Sequence, residues 1–169
     1  MTHGLPDAEA ALAELVERMS GSVAHDAALV GIYSGGAWLA ERLAQMLPGD
    51  HPLGFIDVSF YRDDYATAGL KGGTKRSEIP FDVAGARIVL IDDVLYTGRS
   101  VRAAVNELFD FGRPAAIELA VLIDRGGREL PIEPTYAGAR IAVARDLTVV
   151  LSRGADGRLA LGVEPVAGP

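Results

Sequence analysis

Val89-Leu90-Ile91-Asp92-Asp93-Val94-Leu95-Tyr96-Thr97-Gly98-Arg99-Ser100 decides how this chain is read. The apolar run predicts a buried strand over residues 87–92 that ends in two carboxylates. A tight turn follows, and Thr97-Gly98-Arg99-Ser100 opens a helix predicted over 100–111, with Val101, Ala104, Val105 and Leu108 on one face. Adjacent strand residues point to opposite faces, so Asp92 and Asp93 cannot both enter the core. Such a pair can accept hydrogen bonds from vicinal hydroxyls and favour a hard cation that keeps most of its waters. The first-turn N–H groups of the helix and its dipole suit a phosphate. Gly98 allows close backbone approach, and the Thr97 and Ser100 hydroxyls add donors. Each half also has a plainer explanation, a solvated strand end or a helix capped by Thr97. Four residues apart, the two halves together suit a sugar phosphate.

Outward from this stretch, strands and helices alternate. Residues 27–33 form a short apolar run, predicted as a buried strand, and Ser34-Gly35-Gly36 is a turn. A helix follows, with Leu39, Leu43, Met46 and Leu47 on one face. An earlier helix opens at Pro6-Asp7, carries Leu12, Leu15, Val16 and Met19 at helical spacing, and ends at Gly21. Residues 53–61 and 115–123 read as further strands, 140–144 as another. Residues 148–151 and 158–163 read as a hairpin around Gly154-Ala155-Asp156-Gly157. The stretch from Arg62 to Pro80 shows no period and holds Gly69, Gly72 and Gly73 among many charges. It is expected to be a long flexible excursion, a lid or β-ribbon. The pattern predicts an α/β fold, a doubly wound parallel sheet with helices on both faces. Ligands of such sheets sit beyond the C-terminal strand ends. Three candidate loops fall there: Ser34-Gly35-Gly36, residues 92–100 and residues 124–128. Gly turns of the first kind can serve tight packing or an anion site.

Composition narrows the field. A length of 169 residues favours one domain, and 49% hydrophobic residues can fill its core. There is no cysteine, which excludes disulfides, thiolate metal sites and a cysteine nucleophile. No apolar run approaches the ~18 residues of a membrane span. Residues Met1 to Asp7 lack a basic region followed by an apolar one, so no signal peptide is expected and the cytoplasm is the expected location. A net charge of −7 argues against general nucleic-acid binding. The histidines, His3, His25 and His51, are scattered and form no metal or triad pattern.

The Asp92-Asp93 and Thr97-Gly98 constellation resembles the phosphoribosyl pyrophosphate (PRPP) motif of type I phosphoribosyltransferases. Tyr61-Arg62-Asp63-Asp64, Gly112-Arg113-Pro114 and Val121-Leu122-Ile123-Asp124-Arg125-Gly126-Gly127-Arg128-Glu129-Leu130-Pro131 extend the similarity to the PyrR family. That family comprises pyrimidine-operon regulators that are also uracil phosphoribosyltransferases. The resemblance covers about residues 30–163.

It implies one phosphoribosyltransferase domain over 1–169, with a lid near 62–80 and a small C-terminal hood near 124–169. It implies that Asp92 and Asp93 meet the ribose hydroxyls and, through water, Mg²⁺. PRPP would also meet Val94 and Leu95, and its 5′-phosphate would sit on Tyr96, Thr97, Gly98, Arg99 and Ser100. Pyrophosphate would meet Ser34, Gly35 and, on closure, Arg62; Lys71, Lys75 and Arg76 are further cations of the excursion. Asp124, Arg125 and Gly126 would lie near the base. The expected activity joins uracil to PRPP, giving UMP and pyrophosphate, in a homodimer or larger assembly. An RNA-binding attenuator that senses UMP is the alternative, in place of catalysis or beside it. Two positions depart from the family pattern. Ser34-Gly35-Gly36 stands where regulators usually show Thr-Arg-Gly, and Gly127 stands where many relatives carry His.

Overall fold

The computed structural model describes residues 4–59 and 77–168. Helix α1 (Ala8–Ser20) starts where the Asp7 side chain accepts the Ala10 N–H at 2.9 Å, and it ends at Gly21. Strand β1 (Ala28–Ile32) is buried along its whole length and leads into helix α2 (Gly35–Met46). Strand β2 (Leu53–Ile56) follows, then β3 (Arg87–Leu95), helix α3 (Arg99–Phe111), β4 (Ala116–Asp124) and β5 (Tyr136–Arg140). Strands β6 (Leu147–Arg153) and β7 (Leu159–Pro165) form an antiparallel hairpin around the predicted Gly154 to Gly157 turn.

Five strands lie parallel in the order β2-β1-β3-β4-β5. The order reverses between β1 and β3, so the loops leaving their C-terminal ends flank one crevice, with the β4 exit beside them. This is the doubly wound sheet expected from the alternation of elements. Period-two alternation splits the core into two faces. Leu29, Val89, Ile91, Ala120 and Leu122 face α1 and α2, together with Val149, Leu151, Leu159 and Leu161 of the hairpin. Ala28, Val30, Ile88, Leu90, Leu119 and Val121 face the other way, onto Val101, Ala104 and Leu108 of α3. Among the described residues no helix is long and apolar enough to cross a membrane.

Three boundaries differ from the sequence reading. Strand β3 does not stop at Asp92, because Val94 and Leu95 keep pairing with Ile123 and Asp124 of β4. The two carboxylates are therefore held within a ladder rather than at a fraying end. Strand β5 occupies 136–140, not 140–144. Its small residues hid it: a Cβ on Gly138 would collide with the Ala11 and Leu122 carbonyls, so α1 packs directly on its backbone. The second strand ends at Ile56, short of the predicted Tyr61. Of the 62–80 excursion only 77–80 falls within the described residues. There Glu78 exchanges two 2.8 Å backbone hydrogen bonds with Phe55, antiparallel to β2.

Candidate active site

The carboxylate pair is oriented by its own backbone. The Asp93 amide donates to Asp92 Oδ1 at 2.9 Å, and the Val94 amide donates to Asp93 Oδ1 at 2.8 Å. Asp92 is 8% exposed and faces a cleft of about 160 Å³ whose other lining residues are 94–101. Asp93 leaves the opposite face of β3, toward the α2 end of the crevice. Its carboxylate lies over Gly35, where an added Cβ would sit 2.8 Å from Asp93 Cγ. One face of the pair thus meets the phosphate-type turn and the other meets the Ser34-Gly35 loop.

The turn beneath the cleft opens a helix whose first-turn N–H groups can receive an anion. Gly98 precedes α3 with φ 93°, a left-handed conformation that side chains disfavour. The Thr97 hydroxyl accepts the Arg99 N–H at 3.2 Å. Thr97 stands one residue further from α3 than the capping reading of the sequence placed it, because Gly98 takes the cap position. Helix geometry leaves the Ser100 and Val101 amides without intrahelical acceptors, and the first intrahelical bond runs from Arg102 N to Gly98 O at 3.0 Å. At the β1 exit the Tyr33–Ser34 peptide is cis, and Ala37 and Trp38 donate to the Ser34 carbonyl at 3.1 and 3.2 Å. Gly36 serves packing: a Cβ there would collide with the Ile91 carbonyl, and one on Gly31 would collide with the Gly36 carbonyl. Gly35 differs, since what covers it is the Asp93 side chain.

At the β4 exit the expected base-side residues Asp124 and Arg125 turn their side chains inward, while Gly126 beside them is exposed. Asp124 is 4% exposed. It accepts the Gly126 amide at 3.0 Å, Arg128 Nη2 at 2.8 Å and Arg140 Nη1 at 2.5 Å. Burial pushes its carboxyl pKa up, but the Arg128 and Gly126 hydrogen bonds and the two cations prevail and hold it below the usual carboxylate value. Arg125 is 6% exposed and sends its guanidinium to backbone carbonyls of residues 143–147. Gly126 and Gly127 both take positive φ. Arg128, which the sequence reading did not single out for the site, joins the loops: its Nε donates to Ile132 O at 2.6 Å and its Nη1 to Tyr96 O at 3.1 Å. The Glu129 and Leu130 amides donate to Thr97 O at 3.0 and 3.2 Å. Only its place in the Asp-Arg-Gly-Gly-Arg run hinted at Arg128. Arg62 lies outside the described residues, as do Lys71, Lys75 and Arg76.

Comparison with known proteins agrees with the fold. The phosphoribosyl transferase domain model matches residues 3–142. The Bifunctional protein PyrR of Ralstonia nicotianae is 51% identical over 172 residues, 98% of each chain. That of Nitrosococcus oceani is 45% identical, covering 82% of this chain and 79% of its own. Among solved structures, a hypoxanthine-guanine phosphoribosyltransferase from Bacillus anthracis aligns with TM-score 0.61 at 18% identity, over 79% of this chain and 78% of that one. A hypoxanthine phosphoribosyltransferase from Staphylococcus aureus gives 0.62 at 21% identity, over 85% and 78%. At those identities the likeness is one of fold.

Proposed function

This chain belongs to the phosphoribosyl transferase family, within its PyrR branch, and on that premise we propose that it converts uracil and PRPP to UMP and pyrophosphate. It is a pentosyltransferase. The observation that carries the proposal is that Asp92 and the first turn of α3 line one cleft, with Asp93 on the Gly35 side of the same strand. Hydroxyl acceptors and phosphate donors are then spaced for one sugar phosphate.

In this reading the 5′-phosphate rests on the backbone and hydroxyls of residues 96–100. Asp92 and Asp93 take the ribose hydroxyls. The new N1–C1 bond forms as the C1–O bond to pyrophosphate breaks, through an oxocarbenium-like state. Little covalent work falls to the protein, which orients the base, excludes water and places negative charge beside the developing cation. Pyrophosphate leaves toward Ser34 and Gly35, with Arg62 as its proposed cation. The base lies against the hood by way of the 124–126 backbone, because the Asp124 and Arg125 side chains are bonded within the protein. Hood carbonyls accept the uracil N1–H hydrogen bond, and the proton passes to the departing pyrophosphate or to water as the N1–C1 bond forms.

The residues fit Mg²⁺ in one manner. Among the described residues no group of three or more acidic or histidine side chains forms a cage. A pair of carboxylates instead suits an ion that keeps its waters and shares the substrate's oxygens. When bound, Mg²⁺ would neutralise charge on the leaving pyrophosphate. Asp92 and Asp93 would hold it through water. A cytoplasmic homodimer with a hood over 124–169 and a lid over 62–80 completes the proposal.

The test is pyrophosphate release with Mg²⁺, PRPP and, in turn, uracil, orotate, hypoxanthine and guanine. Release with uracil alone is expected. Release with a purine alone would reassign the substrate, and release with none would leave a nucleotide-binding module. A second reading follows from the relatives' name, Bifunctional protein PyrR: RNA-binding attenuation controlled by UMP. The net charge of −7 weighs against it. Gel-shift titration of a pyrimidine-operon leader RNA, with and without UMP, decides it.

A further inference from the structure

Arg125 is a buried cation with an unusual set of partners. Burying a guanidinium requires compensation from other groups. The carboxylate next to it in sequence, Asp124, pairs instead with Arg128 and Arg140. Arg125 Nη1 donates to Leu147 O at 2.7 Å, and Nη2 donates to Ala144 O at 3.0 Å and Val143 O at 3.4 Å. Its Cζ lies 3.9 Å from the centroid of the Tyr96 ring. Nε is buried with no hydrogen-bond partner, so the face of the ring is its remaining electrostatic compensation. The ring is confined at its edge as well: a Cβ on Gly127 would collide with the Tyr96 ring carbons. Arg125 therefore joins the segment leading into β6 to the first residue of the turn that holds the cleft.

We propose that Arg125 is a positioning residue, not a base ligand: anchored on the Val143, Ala144 and Leu147 carbonyls, it clamps the Tyr96 ring and so fixes the phosphate cradle of residues 96–100. The inference deepens the proposed function and rests on its assignment of that turn to the 5′-phosphate. The cradle is then held twice. Arg128 and the Glu129 and Leu130 amides bind its backbone, and Arg125 binds its ring. A clamp of this kind acts on phosphate affinity. A base ligand would act on the KM for uracil.

The test uses the full chain, with ribose 5-phosphate as the binding probe in calorimetry, PRPP and uracil in steady-state kinetics, and the ¹³C-labelled tyrosine ring signals as a ligand-free readout. Arg125→Met is expected to weaken ribose 5-phosphate about tenfold, to raise the KM for PRPP by a similar factor with the KM for uracil moved much less, and to shift the Tyr96 ring signal. Tyr96→Leu is expected to give the same phenotype, and the double variant to be no worse than either single one. Tyr96→Phe, which keeps the ring face, is expected to lose less than Tyr96→Leu. Should Arg125→Met fail to fold, the Tyr96→Leu and Tyr96→Phe pair still tests the clamp: equal losses overturn it. A change confined to the KM for uracil, or full additivity in the double variant, overturns it as well. If wild-type protein does not bind ribose 5-phosphate, the phosphate assignment fails and the cradle role with it. A ring signal that still moves in Arg125→Met would then show a contact without that role.

Discussion

Replacing Gly36 by alanine should separate α2 from the sheet at the point where the site is assembled. The added Cβ would collide with the Ile91 carbonyl and sit 3.2 Å from both Ile91 C and Asp92 Cα, where ordinary contact begins at 3.4 Å. All three atoms belong to, or adjoin, the β3 backbone, so no side chain can swing aside. The N-terminal end of α2 must retreat by roughly 0.5–1 Å, a gap that forfeits a quarter to a half of each contact's attraction. Ala37, Leu39, Ala40 and Leu43 are the buried residues carried along. Overpacking of this kind costs about 1–3 kcal/mol. For a chain of this size the upper half of that range lowers the melting temperature by roughly 4–12 °C. The same displacement moves the Ser34-Gly35 loop away from Asp93, and misplacement near 1 Å can cost about 100-fold in turnover. Thermal denaturation and pyrophosphate release measure the two effects. Gly162→Ala is the control, since nothing lies within 4 Å of its added Cβ. The reasoning is refuted if Gly36→Ala melts within 2 °C of the Gly162→Ala control and retains its turnover.

Asp93→Asn should lower turnover by about 100-fold or more while leaving the melting temperature nearly unchanged, because an amide oxygen can still accept the Val94 N–H; wild-type turnover removes the role assigned to Asp93. Asp124→Asn should cost about 3 kcal/mol at neutral pH by leaving Arg128 and Arg140 without their carboxylate. The folded-state pKa of Asp124 is depressed, so its contribution is complete above the unfolded carboxyl value near ~4 and is lost as pH falls through the folded value. Melting temperatures measured from pH 7 to pH 3 should therefore fall less steeply in Asp124→Asn. Burial, then the 2.7 Å hydrogen bond donated to Glu118, pushes the Tyr136 hydroxyl up to about 12. Its stabilisation is present below the unfolded tyrosine value of ~10 and is lost as pH rises through about 12. In a phenolate absorbance titration the component near pH 12 should be lost in Tyr136→Phe.

The parts legible in the sequence were those set by local pattern. Ile88 to Ile91 announced a buried strand, and Gly98 with its neighbours announced a helix start. What stayed hidden depended on partners distant in the chain. Strand β5 has little β-branched character because Gly138 must admit the α1 backbone. Leu95 extends β3 because Asp124 pairs with it across the ladder. Arg125 looked like a loop cation aimed at a ligand, since nothing nearby in sequence reveals that carbonyls 18 to 22 residues onward would bury it. The same holds for Gly127, whose requirement arises from the Tyr96 ring 31 positions earlier.

Glu9 binds Arg42 through both oxygens and also accepts the Leu159 amide at 2.9 Å, a partner 150 positions away. At ribosomal speeds of about 5–20 residues per second, roughly 8 to 30 s separate the synthesis of these two partners. The apolar stripe of α1, with Leu12, Leu15 and Met19, gains its β4 and β5 surfaces late in that interval and its β7 surface only at the end of it. The nascent chain thus carries an amphipathic helix whose packing surface is incomplete until its last strands emerge.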